Sequence, residues 1–319
     1  MPLVLWLVAF ALGVAVIVWG AEAFAEHLGA ASVQLGVSSF ALALILAGAE
    51  PEELATAVVA SLRGSPGIAL GDVIGANVAI CFVALGVGAW IAPLPFRGTV
   101  MRYALLALPL GAIGTWCAWD GAVSRVEGGL LVALYVAYVA TIWWTERKPP
   151  ILGEVGKLDE ARDAALAGQT HPVGRDLALV LAGVAAMAGG ASLLVEAVQR
   201  ISGVESVQTR LGLTLVGFAT GFELVVLAWS AARRGVSEAV VAGVVGSFAY
   251  NVTMTLGAAA LARPLVLFEA SFLHLPLALM LAALLLVVLL ATRRQQLRRS
   301  EAYVLLAAYP TFVLLVLFT

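Results

Sequence analysis

Residues 45–89 read ILAGAEPEELATAVVASLRGSPGIALGDVIGANVAICFVALGVGA, and residues 216–260 repeat the pattern as VGFATGFELVVLAWSAARRGVSEAVVAGVVGSFAYNVTMTLGAAA. One offset of 171 positions, with no gap, aligns an acid, an arginine and three glycines of the two stretches: Glu52 with Glu223, Arg63 with Arg234, Gly64 with Gly235, Gly75 with Gly246 and Gly86 with Gly257. Two unrelated apolar hairpins would share glycines by chance more readily than they would share charged residues. We therefore interpret the stretches as two copies of one structural unit.

The chain is too apolar for a water-soluble domain. Of its 319 residues, 62% are hydrophobic and only 12% are charged, whereas soluble domains have about 25% charged residues. Apolar runs near the ~20 residues that a bilayer requires predict ten membrane spans, at residues 2–20, 33–62, 66–92, 101–119, 122–144, 176–199, 211–232, 237–261, 264–291 and 302–318. The first run has no basic residue before it, so we interpret it as a span rather than a cleaved signal.

A polar segment, residues 146–175, divides the ten spans into five and five. It contains two adjacent prolines and many charges, which predicts a solvated linker loop too short for a core of its own. The first half is then residues 1–145 and the second is residues 176–319. Because five spans separate the two copies, the second copy enters the membrane from the opposite side. The predicted fold is an all-α polytopic membrane protein with ten transmembrane helices, built as two inverted-topology repeats of five helices.

Basic residues predict the orientation. Alternating the loops between two sides places thirteen of the eighteen Lys and Arg residues on the side of the 146–175 loop, which the positive-inside rule makes cytoplasmic. Both termini then face outward, and we expect a multi-pass protein of the cell (inner) membrane. The predicted partners are inorganic cations and the lipid bilayer, with no nucleic acid and no obligate protein partner.

Glu52 and Glu223 occupy equivalent apolar surroundings in the two copies. A charge at the bilayer centre costs about 2.5–3.5 kcal/mol on insertion scales, so a carboxylate there usually faces a cavity, a cation or a proton. The symmetry of an inverted repeat brings these two side chains toward each other, where they repel unless a cation bridges them or one holds a proton. Pro51 cannot donate to the Ala47 carbonyl, and the broken helix would free carbonyl oxygens as cation ligands.

The predicted ligands are oxygen atoms, which hard cations such as Ca²⁺ prefer. The candidates are the side chains of Glu52, Glu223, Asn77, Thr220 and Ser247 and the backbone carbonyls of Ala47 and Gly48, with Glu50 and Asp72 as weaker candidates. On a regular helix, at most one of Glu50 and Glu53 shares the face of Glu52. Glu26 and Glu196 match at an offset of 170 and lie near span ends, where we expect interfacial positions.

Other residue types provide no competing site. The three histidines, His27, His171 and His274, are scattered, which argues against zinc or copper. Cys81 and Cys117 both lie in apolar runs, so we interpret them as packing residues rather than a disulfide or metal pair. No catalytic residue is predicted, and no cofactor is expected besides the transported cation.

The paired motifs resemble those of the cation/calcium exchanger superfamily, which contains sodium/calcium and proton/calcium antiporters. Each repeat of that family carries a GTS-x-PE type motif on one helix and a GN-xx-GSN-xx-N type motif on the next. The corresponding segments here are AGAEPE (47–52), FATGFE (218–223), GDVIGAN (71–77) and AGVVGSF (242–248). The resemblance implies that Glu52 and Glu223 are the central cation ligands, with Asn77 beside them.

Several positions depart from the family pattern. Phe248 stands where the family usually has Asn or Asp. Two hydroxyl residues of the family motifs are replaced in the first copy, by Ala49 and Ala76. The equivalent positions of the second copy keep hydroxyls, at Thr220 and Ser247. Glu50 or Asp72 is the candidate to replace the missing ligand. With fewer oxygens around the central pair, coupling to protons or to another cation fits at least as well as a full set of sodium sites.

The sequence thus predicts a secondary antiporter, not an enzyme, that exchanges Ca²⁺ or a similar cation for Na⁺ or H⁺ by alternating access at a midplane site. A passive cation channel on the same scaffold is the first alternative, and it would conduct without a counter-ion gradient. A membrane-embedded enzyme is the second, but it would need a nucleophile or metal cluster that the sequence does not offer. Tracer exchange that depends on a counter-ion separates these possibilities.

Overall fold

The computed structural model describes residues 3–35, 50–146, 172–235 and 237–318. The helices of the first half are α1 (Leu3–Gln34), α2 (Pro51–Leu62), α3 (Pro66–Ala79), α4 (Leu85–Ile91), α5 (Gly98–Cys117) and α6 (Arg125–Glu146). Those of the second half are α7 (Val173–Ile201), α8 (Glu205–Leu211), α9 (Gly217–Thr220), α10 (Phe222–Arg233), α11 (Ser237–Tyr250), α12 (Leu256–Ala262), α13 (Ser271–Thr292) and α14 (Arg299–Phe318).

Short elements of two kinds interrupt these helices. Three π-helical turns join consecutive helices, namely π1 (Ile80–Ala84), π2 (Gly212–Val216) and π3 (Asn251–Thr255). Four two-residue strands, which the all-α prediction did not include, lie in the connections: β1 (Leu94–Pro95), β2 (Ala122–Val123), β3 (Leu265–Val266) and β4 (Gln296–Leu297).

Nine helical stretches of the described residues are long and apolar enough to cross a membrane, and they correspond to the predicted spans other than the second. Most of the second predicted span, 33–62, lies outside the described residues, and α2 is the part that is seen. Two predicted boundaries differ most from the structure. The first helix does not end at residue 20 but continues to Gln34, because it packs along α7 for most of its length. The ninth begins at Ser271 rather than at 264, because β3 and a turn precede it.

The two copies fold alike to the residue. Helices α2, α3 and α4 and the turn π1 begin and end 171 positions before α10, α11, α12 and π3, respectively. Gly64 and Gly235, also 171 apart, follow α2 and α10 with φ of +72° and +78°. Backbone in this left-handed region favours glycine because it has no Cβ, so the same residue ends the equivalent helix in each half.

The strands show that the halves are inverted. Strand β1 precedes α5 and pairs with β4, whereas β3, its equivalent before α13, pairs with β2. Successive connections of a chain that crosses the bundle repeatedly lie on opposite faces. The connection with β1 and its equivalent with β3 are separated by five crossings, so they lie on opposite faces. We call the face with β1, β4 and the residues that flank the undescribed linker the linker face. The opposite face, with β2, β3 and the start of α1, is the terminal face.

The centre of the molecule is built from α3–α4 and α11–α12, whose side chains are almost all buried. The α1–α7 pair packs on one side of this centre, and the backbones of the pair come unusually close. A Cβ added at Gly13 would lie 2.9 Å from the Gly190 carbonyl oxygen, and one at Gly183 would lie 2.7 Å from that of Gly20. Small residues permit such contact between helices in a bilayer.

Candidate functional site

The predicted ligands that the structure describes gather where helices of the two repeats meet. Helix α2 begins at Pro51, with Glu50 as its N-cap residue and Glu52 in its first turn. In the second copy the helix is interrupted at Gly221, and α10 then begins with Glu223 in its first turn. Helix N-termini carry partial positive charge, which lowers the cost of placing these carboxylates inside the protein.

In the first copy, the helix begins at the proline that the sequence marks as a helix breaker. Proline is well tolerated at the first helical position, where its missing N–H would have no helical partner, and Pro51 occupies that position in α2. The second copy lacks a proline, and its segment is irregular by other means, with the π2 turn followed by the short helix α9. The carbonyls of Ala47 and Gly48 lie outside the described residues, so their part in ligation stays a prediction.

Hydroxyl groups of the second half bind carboxylates of the first. Thr220 Oγ1 donates to Asp72 Oδ1 at 2.8 Å, and Ser247 Oγ donates to Glu50 Oε1 at 2.5 Å. All four side chains are buried. Asp72 and Glu50, the weaker candidates from sequence, therefore each contact a stronger one. Both contacts join residues that are far apart in the chain, so they exist only when the two halves are assembled.

Asparagine side chains join α3 to the second copy. Asn251 Nδ2 donates to Asn77 Oδ1 at 3.3 Å, and Asn77 Nδ2 contacts Met280 Sδ at 3.6 Å. The Asn77 amide thus links helices and keeps one free lone-pair direction on its oxygen for a cation. Asn251, which is buried, was not among the residues predicted from the sequence. Its position one helical turn after Ser247 could have revealed it, because residues four apart share a helix face.

Three acids at the start of α2 share one buried region. The carboxyl groups of Glu50, Glu52 and Glu53 lie within electrostatic range of one another, and Glu223 lies near both Glu50 and Glu53. The prediction that at most one of Glu50 and Glu53 accompanies Glu52 is wrong. It assumed a regular helix, but Glu50 precedes the helix with φ −113° and ψ 84°. The direct approach of Glu52 to Glu223 stays a prediction.

Glu53 is a further acid of this buried region. Its side chain is fully buried, and neither of its carboxylate oxygens accepts a hydrogen bond from a described residue. Asp72 is its strongest charged neighbour, and the Asn251 amide also lies close by. Asp72 Oδ2 likewise has no hydrogen-bond partner in the described part of the chain. Unpaired buried carboxylates are costly, so this region requires a cation or a proton for charge balance.

The donor chemistry fits a hard cation. All polar groups named above offer carboxylate, hydroxyl or amide oxygens, which suit Ca²⁺ and Na⁺ better than zinc or copper. Among the described residues, no three His, Cys, Asp or Glu side chains are arranged as a metal-holding group. The arrangement therefore suits an ion held by one or two carboxylates together with neutral oxygens.

Phe248 lies away from these polar groups. Its ring is fully buried and packs against α5, where a Cβ added at Gly111 would be 3.0 Å from the ring. The family's usual ligand position therefore serves packing in this chain. Cys81 and Cys117 are buried and unpaired. His27 contacts Asp176, and His274 stacks on Trp119 with 4.5 Å between ring centroids; His171 lies outside the described residues.

Comparison with known proteins identifies relatives over nearly the whole chain. The family model described as sodium/calcium exchanger protein matches residues 5–144 and 176–318. The sodium/calcium exchanger MaX1 of Methanosarcina acetivorans is 27% identical over 348 aligned residues, covering 96% of this chain and 97% of its own. An uncharacterized membrane protein of Methanocaldococcus jannaschii is 26% identical over 265 residues, covering 81% of this chain and 77% of the relative.

Solved structures share the fold. The sodium-calcium exchanger NCX_Mj soaked with 100 mM Na⁺ and 10 mM Sr²⁺ superimposes with a TM-score of 0.62 at 22% identity, covering 97% of this chain and 98% of that one. The same exchanger soaked without Na⁺ and Ca²⁺ gives a TM-score of 0.57. With the family match, this likeness confirms the predicted fold class, a ten-helix membrane protein of two inverted repeats.

Proposed function

We propose that this chain, which belongs to the sodium/calcium exchanger family, moves Ca²⁺ or a similar cation across the membrane in exchange for Na⁺ or H⁺. It is a multi-pass membrane transporter for inorganic cations and not an enzyme. In the proposed mechanism, the ion binds near the midplane between the two repeats. Access to that site then alternates between the two faces of the membrane.

One observation carries the proposal. Glu52 and Glu223 lie in the first turns of equivalent helices, α2 and α10, beside a buried polar region where hydroxyls of the second half donate hydrogen bonds to carboxylates of the first. In a bilayer such groups mark ion pathways. A site made by both halves changes shape when the halves move relative to each other, and alternating access needs that property.

The proposed ligand roles follow from placement. Glu52 and Glu223 supply the central negative charge, and Asn77, Thr220 and Ser247 supply neutral oxygens, with carbonyls of Ala47 and Gly48 completing the shell. Glu50 and Asp72 contact two of these hydroxyls, so they orient the hydroxyls and add charge. They are our candidates to replace the family ligand that is lost at Phe248.

Topology and location are part of the proposal. The five Lys and Arg residues that the sequence assigns to the outer side lie on the terminal face. Arg63 contacts α7 there, and Arg125 and Arg263 flank the β2–β3 ladder. The more basic linker face is then cytoplasmic, in the cell (inner) membrane. The division into residues 1–145, 146–175 and 176–319 follows the same scheme. No cofactor and no obligate protein partner are expected.

Tracer flux in proteoliposomes tests the function. Vesicles are loaded with Na⁺ or set to an acid interior, and ⁴⁵Ca²⁺ uptake is measured for the parent and for Glu52→Gln and Glu223→Gln. Because even residues that only support a ligand typically change metal affinity 10- to 100-fold, loss of a direct ligand should lower uptake by about 100-fold. Glu238→Gln, at an exposed position on α11, is the matched control and should behave like the parent.

The outcomes separate the alternatives. Uptake that needs an outward Na⁺ gradient identifies sodium coupling, and uptake driven by the proton gradient identifies proton coupling. Uptake that needs neither, and that does not saturate, would identify a channel. Unchanged uptake in both Gln variants would contradict the proposed site.

A further inference from the structure

An ion-pair network at the terminal face connects three helices. Arg63, just after α2, places its Nη1 atom 2.9 Å from Glu196 Oε2 on α7. Arg200, one turn later on α7, donates from Nε to the other oxygen of Glu196 at 2.7 Å. The Arg200 guanidinium also lies 5.7 Å from the ring centroid of Trp6 on α1. This face of the α1–α7 pair is therefore held against the end of α2.

The inverted repeat provides a second set of residues with the same chemistry. Arg234, just after α10, is the equivalent of Arg63 at the offset of 171, and Glu26 on α1 is the equivalent of Glu196 at 170. The packing supports the offset of 170 independently. Gly13 contacts Gly190, and Gly20 contacts Gly183. Moving the α1 member of the first contact forward by 170 positions and the α7 member back by 170 gives the second contact.

Only one of the two equivalent ion pairs is formed. Arg234 and Glu26 are both described, both are exposed, and no ion pair joins them among the described residues. Backbone packing has the same asymmetry. Helix α7 packs along α2, whereas α1 hardly contacts α10, its equivalent partner. The α1–α7 pair therefore lies against the end of α2 at the terminal face, and the described residues form no equivalent contact at the linker face.

A separate contact holds α1 and α7 together. At the linker face, buried Asp176 of α7 accepts from Gln34 Nε2 at 3.1 Å, and its other oxygen lies 3.1 Å from His27 Nδ1. Gln34 and His27 both belong to α1, so this cluster does not depend on where the pair lies against α2 or α10. With the glycine contacts, it allows α1 and α7 to move as one body.

We propose that Arg63–Glu196 and Arg234–Glu26 are alternate latches of the exchanger, formed one at a time. In the arrangement described here, Arg63–Glu196 closes the terminal face. In the opposite arrangement, the α1–α7 body shifts, Glu196 leaves Arg63, and Glu26 meets Arg234 to close the linker face. These four are positioning residues that touch no transported ion. The inference rests on the proposed alternating access, but its residues lie apart from the cation site.

Paired cysteines test the latches. Arg63→Cys/Glu196→Cys and Arg234→Cys/Glu26→Cys are made in membranes and treated with a short bifunctional thiol reagent, because long Arg and Glu side chains hold their backbones farther apart than a disulfide reaches. Cys81 and Cys117 are buried and can stay. Both pairs should cross-link. Arg233→Cys/Glu26→Cys is the matched control, since Arg233 instead lies over Trp229 at 4.7 Å, and it should give at least ten-fold less product.

A variant that carries all four cysteines, at positions 26, 63, 196 and 234, tests whether the two latches exclude each other. Peptide mapping should find molecules that carry one cross-link or the other, and each cross-link alone should stop exchange until it is cleaved. Molecules with both links in substantial yield would overturn the proposal, as would an Arg234/Glu26 yield no higher than that of the control. The yield of cross-linked protein is measured without any transport assay, so it does not depend on the proposed function. Cysteine variants that cross-link as expected, together with a parent that shows no counter-ion-dependent uptake, would contradict the proposed function while leaving the latches supported.

Swapping the charges of Glu26 and Arg234 gives a second test, whose result would not change if the two residues had a purely structural role. Reversing one charge in Glu26→Lys should disfavour the opposite arrangement and lower the exchange rate about two- to five-fold, the effect expected of an exposed pair. The double variant Glu26→Lys/Arg234→Glu should restore the rate. A double variant no faster than the single one would contradict a direct contact.

Discussion

At the scale of single residues, the site is less symmetric than the fold. Thr220 bonds Asp72, but the positions equivalent to these two are Ala49 and Gly243, which have no polar side-chain atoms. Ser247 bonds Glu50, and the equivalents there are Ala76 and Gly221. Each half therefore contributes different chemistry to one shared site. The acids Glu50 and Asp72 occur where hydroxyls of the other half can reach them.

The Thr220 hydroxyl should be needed for cation affinity. Thr220→Val keeps the side-chain shape but leaves both Asp72 oxygens without a hydrogen-bond donor among the described residues, and a hydrogen bond to a charged group is worth about 1.5–3 kcal/mol. We expect the KM for Ca²⁺ to rise about ten-fold or more, measured by initial uptake rates. Thr214→Val is the control, because among the described residues the Thr214 hydroxyl bonds the backbone carbonyl of Arg210 and no carboxylate. Equal effects of the two variants would argue against a role for the Asp72 contact.

At the scale of elements, the helices that carry the site are irregular in matched ways. The turns π1 and π3 interrupt equivalent helices 171 residues apart, and π-helical turns are frequent at functional sites. Asn251 begins π3, next to the polar groups of α3. The interrupted segment π2–α9 packs directly on α3 through glycines of both. Irregular backbone is tolerated at membrane depth when protein covers it.

The contact between α3 and π2 should be intolerant of a methyl group. A Cβ added at Gly75 would lie 2.3 Å from the Leu213 carbonyl oxygen, so Gly75→Ala must push the two backbones apart. We expect a loss of about 1–3 kcal/mol in the free energy of unfolding, seen as a lower midpoint in detergent. Gly129→Ala, where a Cβ would meet nothing within 4 Å, should leave the midpoint unchanged or raise it. Equal midpoints for both variants would refute the packing argument.

At the scale of the whole molecule, two inverted halves divide the charged residues between two faces. The β1–β4 and β2–β3 ladders connect the halves on opposite faces. The α1–α7 pair packs mainly against one side of the assembly. An inverted repeat has two equivalent positions for such a pair, and occupying one of them makes the two faces unequal. In the proposed alternating access, this inequality is what would let one face close while the other opens.

The predicted orientation can be checked by labelling. Phe268→Cys lies on the terminal face at a residue that is 95% exposed, and Arg294→Cys lies on the linker face. A membrane-impermeant thiol reagent added to intact cells should label Phe268→Cys at once and Arg294→Cys only after permeabilisation, because basic loops stay cytoplasmic. The reverse pattern would place the linker outside and refute the predicted topology.

The sequence by itself determined the fold class, the inverted repeat and the buried acids. Apolar run length reports membrane spans because a helix needs about 20 residues to cross the hydrocarbon core of a typical bilayer. The offset of 171 preserves both helix ends and the glycines Gly64 and Gly235 that follow them. The tertiary structure alone decided which side chains meet. The helical periodicity gave the wrong face for Glu50 because this residue precedes the helix. Phe248 packs against α5 because Gly111 leaves space for its ring. Periodicity describes one helix at a time, whereas these contacts, and the choice between equivalent latches, depend on how separate helices pack.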